Sequence, residues 1–109
     1  MSLPQQIEEN VESRDAVEVA PDVYRIVLEN DRVRVLEVTG VPGTTSSMHG
    51  HPDSVMHAVN AADILVTEPG GEGQRFEVPA GATFWTPATE HSVENVGTET
   101  VRFIRVELK

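Results

Sequence analysis

Cysteine is absent from this chain. Its absence excludes a disulfide framework, a thiol nucleophile and any zinc site built on thiolates. Lysine occurs once, as the final residue Lys109, and eight basic residues stand against eighteen acidic ones. The resulting net charge of -10 repels phosphate backbones and anionic membrane surfaces, so neither nucleic acid nor a membrane is an expected partner. No apolar run approaches the roughly 20 residues that a membrane span needs. The opening stretch MSLPQQIEENVESRD has no basic flank and no apolar signal core, which leads to the expectation of a cytoplasmic protein. What remains is 109 residues at 39% hydrophobic and 24% charged. That composition suits one soluble domain able to bury a real core.

Residues 1–15 are polar, with Ile7 and Val11 one helical turn apart after Pro4. A short helix and a disordered segment are both open there. From Ala16 to Lys109 the chain reads as short strands cut by turn residues. AVEV ends at Ala20-Pro21-Asp22, and VYRIVLE ends at Asn30-Asp31, a hairpin turn. RVRVLEV places Val33 and Val35 on one face but Leu36 and Val38 on the other, which implies a bulge or a strand that passes between sheets. VMHAV, DILVTE, RFEV, TFWT, HSVENV and TVRFIRVEL follow, with PGGEG read as a hairpin tip. Many evenly spaced strands with Gly/Pro turns and almost no helix define an all-β sandwich or small barrel.

The informative stretch is MHGHPDSVMH, residues 48–57, which holds three of the four histidines. His49 and His51 are two apart, and on a strand such residues point to one face. Two imidazoles side by side form a bidentate metal clamp. An HxH pair also arises by chance, so the flanking pattern carries more weight. GTTSSMHGH runs from Gly43 through five residues to His49 and then His51. GATFWTPATEHSVEN runs from Gly81 to Pro87, His91 and Asn95.

In this order and at this separation, the two stretches resemble the two motifs of the cupin superfamily, over residues 16–109. ENDRVRVLEV and HPDSV add to the likeness with small single-domain cupins. The resemblance implies a double-stranded β-helix, or jelly-roll, barrel, with one divalent metal held inside it. Position by position, His49, His51 and His91 match the histidine ligands. Gly43, Gly81 and Pro87 match turn positions with backbone roles. Asn95 matches the asparagine closing the second motif, though its chemistry reads first as that of a turn or hairpin residue. One departure stands out: the glutamate that should follow His51 is missing, its place falling on Ser54 or Met56. Three neutral imidazoles can still bind zinc, nickel, iron, manganese or copper. For an additional ligand the candidates are His57 and Asp53. His57 is out of phase with the site unless a bulge reverses it, and Asp53 reads first as a turn residue after Pro52.

Met56, Thr83, Trp85 and Asn95 are expected to line a pocket beside the metal, with Trp85 sharing a face with Thr83. Such a pocket suits a small neutral or weakly anionic ligand. No Ser-His-Asp triad, phosphate-cradling loop or glycosidase carboxylate pair is present. Three functions stay open: a metal- and ligand-binding module without turnover, a metal-dependent enzyme of dioxygenase, isomerase or decarboxylase type, and a metal-free structural barrel. The absent glutamate and the lack of a clear catalytic base favour the first. Jelly-roll sheets leave edges that must be covered, so a homodimer is expected, with AVEV and VYRIVLE as its edge elements.

Overall fold

The computed structural model describes residues 15–109. The segment expected over residues 1–15 lies, but for Asp15, outside the described residues. The remainder forms one short helix, α1 (Ala16–Val19), and the strands β1 (Tyr24–Glu29), β2 (Val33–Gly40), β3 (Thr45–His51), β4 (Ser54–Ala58), β5 (Ala62–Thr67), β6 (Gln74–Val78), β7 (Thr83–Thr86), β8 (Thr89–Asn95) and β9 (Val101–Leu108). A five-stranded sheet, ordered β1-β2-β9-β4-β7, faces a four-stranded one, ordered β3-β8-β5-β6. Every pairing is antiparallel. This is the expected all-β double-stranded β-helix.

Turn chemistry sets the connections. The Asn30 side chain accepts from the backbone N–H groups of Arg32 and Val33 at 2.8 and 2.9 Å, which closes the β1–β2 hairpin as an Asx turn. Gly43 and Gly81, the glycines that open the two motifs, have φ of 86° and 83°. A side chain at either position would be strained.

Two local expectations are corrected. AVEV is not a strand but one helical turn, because Asp15 caps it by accepting from Val17 N–H at 3.1 Å and Ala16 is fully buried. Cap and packing override the preference of two valines for a strand. β2 does not shift phase: it pairs with β9 in unbroken register. The irregularity lies instead in β1, between Ile26 and Leu28.

The core sits between the sheets. Leu36 and Val38 of β2, Met56 and Ala58 of β4, Val101 and Phe103 of β9, and Tyr24 of β1 are all buried. Full burial of a large apolar side chain contributes about 1.5–3 kcal/mol. Toward one end this interior changes character: Ser54, Arg105, Glu107, His49 and His51 are buried as well.

Candidate metal centre

His49 and His51 lie on β3, and His91 lies on β8 directly opposite His49. The β3–β8 ladder slips between Ser46 and His49. Three residues on β3 there span two on β8, so Ser46 and His49 can both face inward although their numbers differ in parity. The bulge therefore aims the HxH pair into the barrel. Ring centroids are separated by 4.8 Å for His49–His51, 4.9 Å for His49–His91 and 5.3 Å for His51–His91. One nitrogen from each ring lies within 4.8 Å of the others, an arrangement that could hold a metal ion.

The hydrogen bonds behind the rings decide which nitrogens face inward. His51 Nδ1 meets Glu107 Oε2 at 2.7 Å, and His49 Nδ1 meets the Ser47 carbonyl at 2.6 Å. Both partners can only accept, so both Nδ1 atoms carry the proton and both Nε2 atoms present lone pairs. His51 Nε2 and His91 Nε2 are buried without a partner among the described residues. Buried polar nitrogens rarely go unsatisfied, and imidazoles held from behind by a carboxylate and a carbonyl are the usual setting of metal ligands. The donor set fits a divalent metal. Tyr24 completes the cluster: its hydroxyl donates to His49 Nε2 at 2.9 Å.

Electrostatics keeps the rings neutral. Burial, followed by the charge of Arg105, holds His51 down to about 2. Burial, then the neighbouring His51 and His49, holds His91 down to about 3. Burial also lowers His49 and raises the Tyr24 hydroxyl to about 12. Burial pushes Glu107 up, while the hydrogen bond and charge of Arg34 pull it back. Both Glu107 oxygens accept: Oε1 from Arg34 Nε at 2.8 Å, Oε2 from His51. Arg34 in turn grips Asp15 at 2.7 Å.

The two additional candidates are separated from the cluster. β4 carries no bulge, so His57 points outward, exposed, with Nδ1 bonded to Thr83 Oγ1 at 2.7 Å. Asp53 is exposed and accepts from Ala88 N–H at 2.8 Å, pinning a turn. The pocket residues divide. Met56 and Asn95 line the interior cavity. The Asn95 amide is spent on backbone: Nδ2 donates to Gly40 and Glu99 carbonyls, both at 2.9 Å. Thr83 and Trp85 were expected inside but point outward, Trp85 with 53% exposure. Phe84 and Thr86, on the opposite face of β7, line the cavity instead.

That cavity holds about 420 Å³ between the sheets. Val38, Ile64, Val66, Phe76, Val78 and Phe103 form its walls, and Tyr24, His91, Arg105 and Glu68 are among its polar lining. His49 and His51 do not reach its wall, so His91 and Tyr24 connect cavity and histidine cluster. Sequence reasoning missed Tyr24, Arg105 and Glu107. The available signal was parity: Arg105 and Glu107 alternate with Val101 and Phe103, and so share their face.

No family model matches the chain, and no curated protein does. Solved structures do. A cupin domain from Bordetella pertussis Tohama I superposes with a TM-score of 0.74 at 26% identity, covering 80% of this chain and 92% of that one. An uncharacterised conserved protein with a double-stranded β-helix domain from Klebsiella pneumoniae gives 0.64 at 21% identity, over 79% and 75%. The polyketide cyclase RemF from Streptomyces resistomycificus gives 0.61 at 20%, over 78% and 63%. The architecture is thus the double-stranded β-helix, the fold of the small cupin-type proteins that the chain resembles. Among the described residues no helix is long and apolar enough to cross a membrane.

Proposed function

We propose that this protein binds one divalent metal through His49, His51 and His91 and holds a small ligand in the adjoining cavity. The observation that carries the reading is the pair of buried, partnerless Nε2 atoms of His51 and His91, with the His51 lone pair fixed by Glu107. A bound metal would supply Lewis acidity or redox chemistry at positions left open by three ligands. The chain's own residues do the rest. Glu107 and the Ser47 carbonyl orient two imidazoles. Tyr24 offers a hydroxyl proton at the rim of the cavity. The apolar walls exclude water from whatever the cavity holds. Three nitrogen donors suit zinc, nickel, copper or iron. The Tyr24 hydroxyl favours a second reading, a metal-dependent enzyme, since it lies where a proton donor to a bound ligand would stand.

Calorimetric titration of zinc or nickel into four single alanine variants tests the metal site. Loss of His49, His51 or His91 is expected to abolish tight binding, while His57→Ala binds as the parent does. Retention by His91→Ala together with loss in His57→Ala would overturn the assignment. Metal analysis of protein purified without tag or chelator identifies the ion.

A homodimer belongs to the same proposal. Leu28, Val35, Val106, Val55 and Trp85 stand in one cross-strand row on the outer face of the five-stranded sheet. A self-complementary apolar row of this kind suits a two-fold interface with a second copy.

A further inference from the structure

Arg105 is a buried charged side chain in the cavity wall that has no ion pair among the described residues. It is only 2% exposed, and its hydrogen bonds all go to neutral acceptors. Nε donates to Ser54 Oγ, Nη1 to Met56 Sδ and Nη2 to Thr86 Oγ1, each at 3.2 Å. Ion pairs among the described residues engage Arg25, Arg34, Arg75, Lys109 and His51, but none engages Arg105. Glu107 acts on it through space, yet both oxygens of that carboxylate are committed to Arg34 and His51. Burial brings the guanidinium down to about 10, which leaves it charged at neutral pH. A buried cation without a paired anion is costly. The guanidinium has five N–H groups in a fixed fork, of which three are used, and the fork matches a carboxylate.

The surrounding wall narrows the ligand further. Apart from Arg105, Tyr24, His91, the exposed Glu68 and a few hydroxyl and amide groups, the cavity is lined by aliphatic and aromatic side chains, and its 420 Å³ falls within the range of small-molecule sites. One buried cation in a mainly apolar chamber, with the Glu68 carboxylate exposed among its lining, disfavours a strongly hydrated dianion such as phosphate. It favours one negative charge on a hydrocarbon body.

We infer that the cavity binds an amphipathic monocarboxylic acid, its carboxylate on Arg105 and its aliphatic or aromatic body against Val38, Ile64, Phe76 and Phe103. The inference rests on the cavity being a ligand site and is independent of whether the histidines hold metal.

The test is calorimetric binding to the full chain, with chelator present and again after metal loading. The probes are 3-phenylpropionate, its neutral amide 3-phenylpropanamide, and acetate. Phenylpropionate is expected to bind at least tenfold more tightly than either of the others, in chelated protein as well. Arg105→Met should lose the preference for acid over amide, and Arg105→Lys should recover part of it. Equal binding of acid and amide by the parent overturns the proposal even if Arg105→Met fails to fold. So does equal binding of acetate, an unchanged preference in Arg105→Met, or no binding of phenylpropionate at millimolar concentration. Failure of the metal titration with success here separates the two readings.

Discussion

Strand β9 has two faces that swap roles along its length. Its inward residues begin as Val101 and Phe103 and end as Arg105 and Glu107, all buried. Its outward residues begin with exposed Arg102 and continue as Ile104, Val106 and Leu108. At one end the rule of apolar inside and polar outside holds, and at the other it is inverted. Burying charge and exposing hydrocarbon both work against folding. An arrangement that does both at one end of a strand points to selection for something besides stability. Inside, that end meets the histidine cluster and the cavity. Outside, it lies in the apolar row that ends at Trp85.

The largest expected effect comes from breaking the inner charges. Glu107 is the hub between Arg34 and His51, with its side chain 2% exposed. Glu107→Ala leaves Arg34 Nε and the buried His51 N–H without their acceptor, and Arg34 keeps only Asp15. Removing one partner of a buried pair costs about 3–5 kcal/mol, and for a domain of this size each kcal/mol lowers the melting temperature by roughly 4–8 °C. Thermal unfolding should therefore move down by more than about 12 °C. If the variant folds in the cold, its metal affinity should fall by roughly 10- to 100-fold, because His51 loses its orienting partner. A melting temperature within a few degrees of the parent would mean that the inner charges are surface-like and the contrast between the faces is false.

Acid should act on the same side of the strand. His51 and His91 are held at about 2 and about 3, well below the roughly 6.5 of an unfolded chain. The unfolded state thus takes up protons first. Stability is fully present above about 6.5 and declines as pH falls toward 3, by about 1.4 kcal/mol per pH unit for each of the two rings. Urea unfolding of metal-free protein at pH 7.5 and 5.5 should differ by about 3 kcal/mol. Excess zinc should shift the decline to lower pH, since a bound imidazole carries no proton at its ligand nitrogen. A flat profile between those pH values would show that the histidines are solvated.

How much of this was legible in the sequence depended on whether a local signal fixed which face a residue occupies. The histidine cluster was legible because HxH has the strand period and the second motif lies at a fixed distance, although the bulge that orients His49 leaves no mark in TTSSMHGH. The hairpin at Asn30 was legible through side-chain chemistry. Trp85 was not: TFWT has one threonine and one aromatic on each face, so parity alone leaves the inward face undetermined, and the register with β4 decides it. Arg105 and Glu107 were missed because β9 carries apolar residues on both faces. Their partners His51, Ser54 and Met56 are more than 45 positions away in sequence.

A smaller effect, of opposite sign, is expected from Arg105. If the cation is maintained for a ligand, the empty protein gains by losing it. Arg105→Met keeps an unbranched chain among Met56, Phe84 and Phe103 and removes the cost of a buried charge. Replacing buried ions by apolar side chains is neutral or stabilising by about 1–4 kcal/mol, here offset by the lost bonds to Ser54 and Thr86. A gain of about 1 kcal/mol in urea unfolding is expected, with binding of carboxylates lost, as in other trades of stability for function. A destabilisation above about 2 kcal/mol would make Arg105 a structural residue and return that part of the inner face to ordinary packing.

The smallest effect on the single chain is expected outside. Trp85 is 53% exposed and ends the apolar row on the edge strand β7, opposite Val55. Changing it to lysine removes little buried area from one molecule, so the stability of the isolated chain should move by only about 0.5 kcal/mol, as for most surface substitutions. Its consequence should appear between molecules. A two-fold interface uses the same patch twice, so one substitution places two charges in the contact. Sedimentation equilibrium should give the mass of two chains for the parent at micromolar concentration and of one chain for Trp85→Lys. The parent's melting temperature should rise with concentration while the variant's does not. Arg25→Glu, on the outer face of the edge strand β1 and outside the row, is the control and should leave the mass unchanged. If the parent is monomeric, or if Trp85→Lys remains a dimer, the outer row is an exposed surface without a partner copy, and only the inner inversion of β9 needs a functional cause.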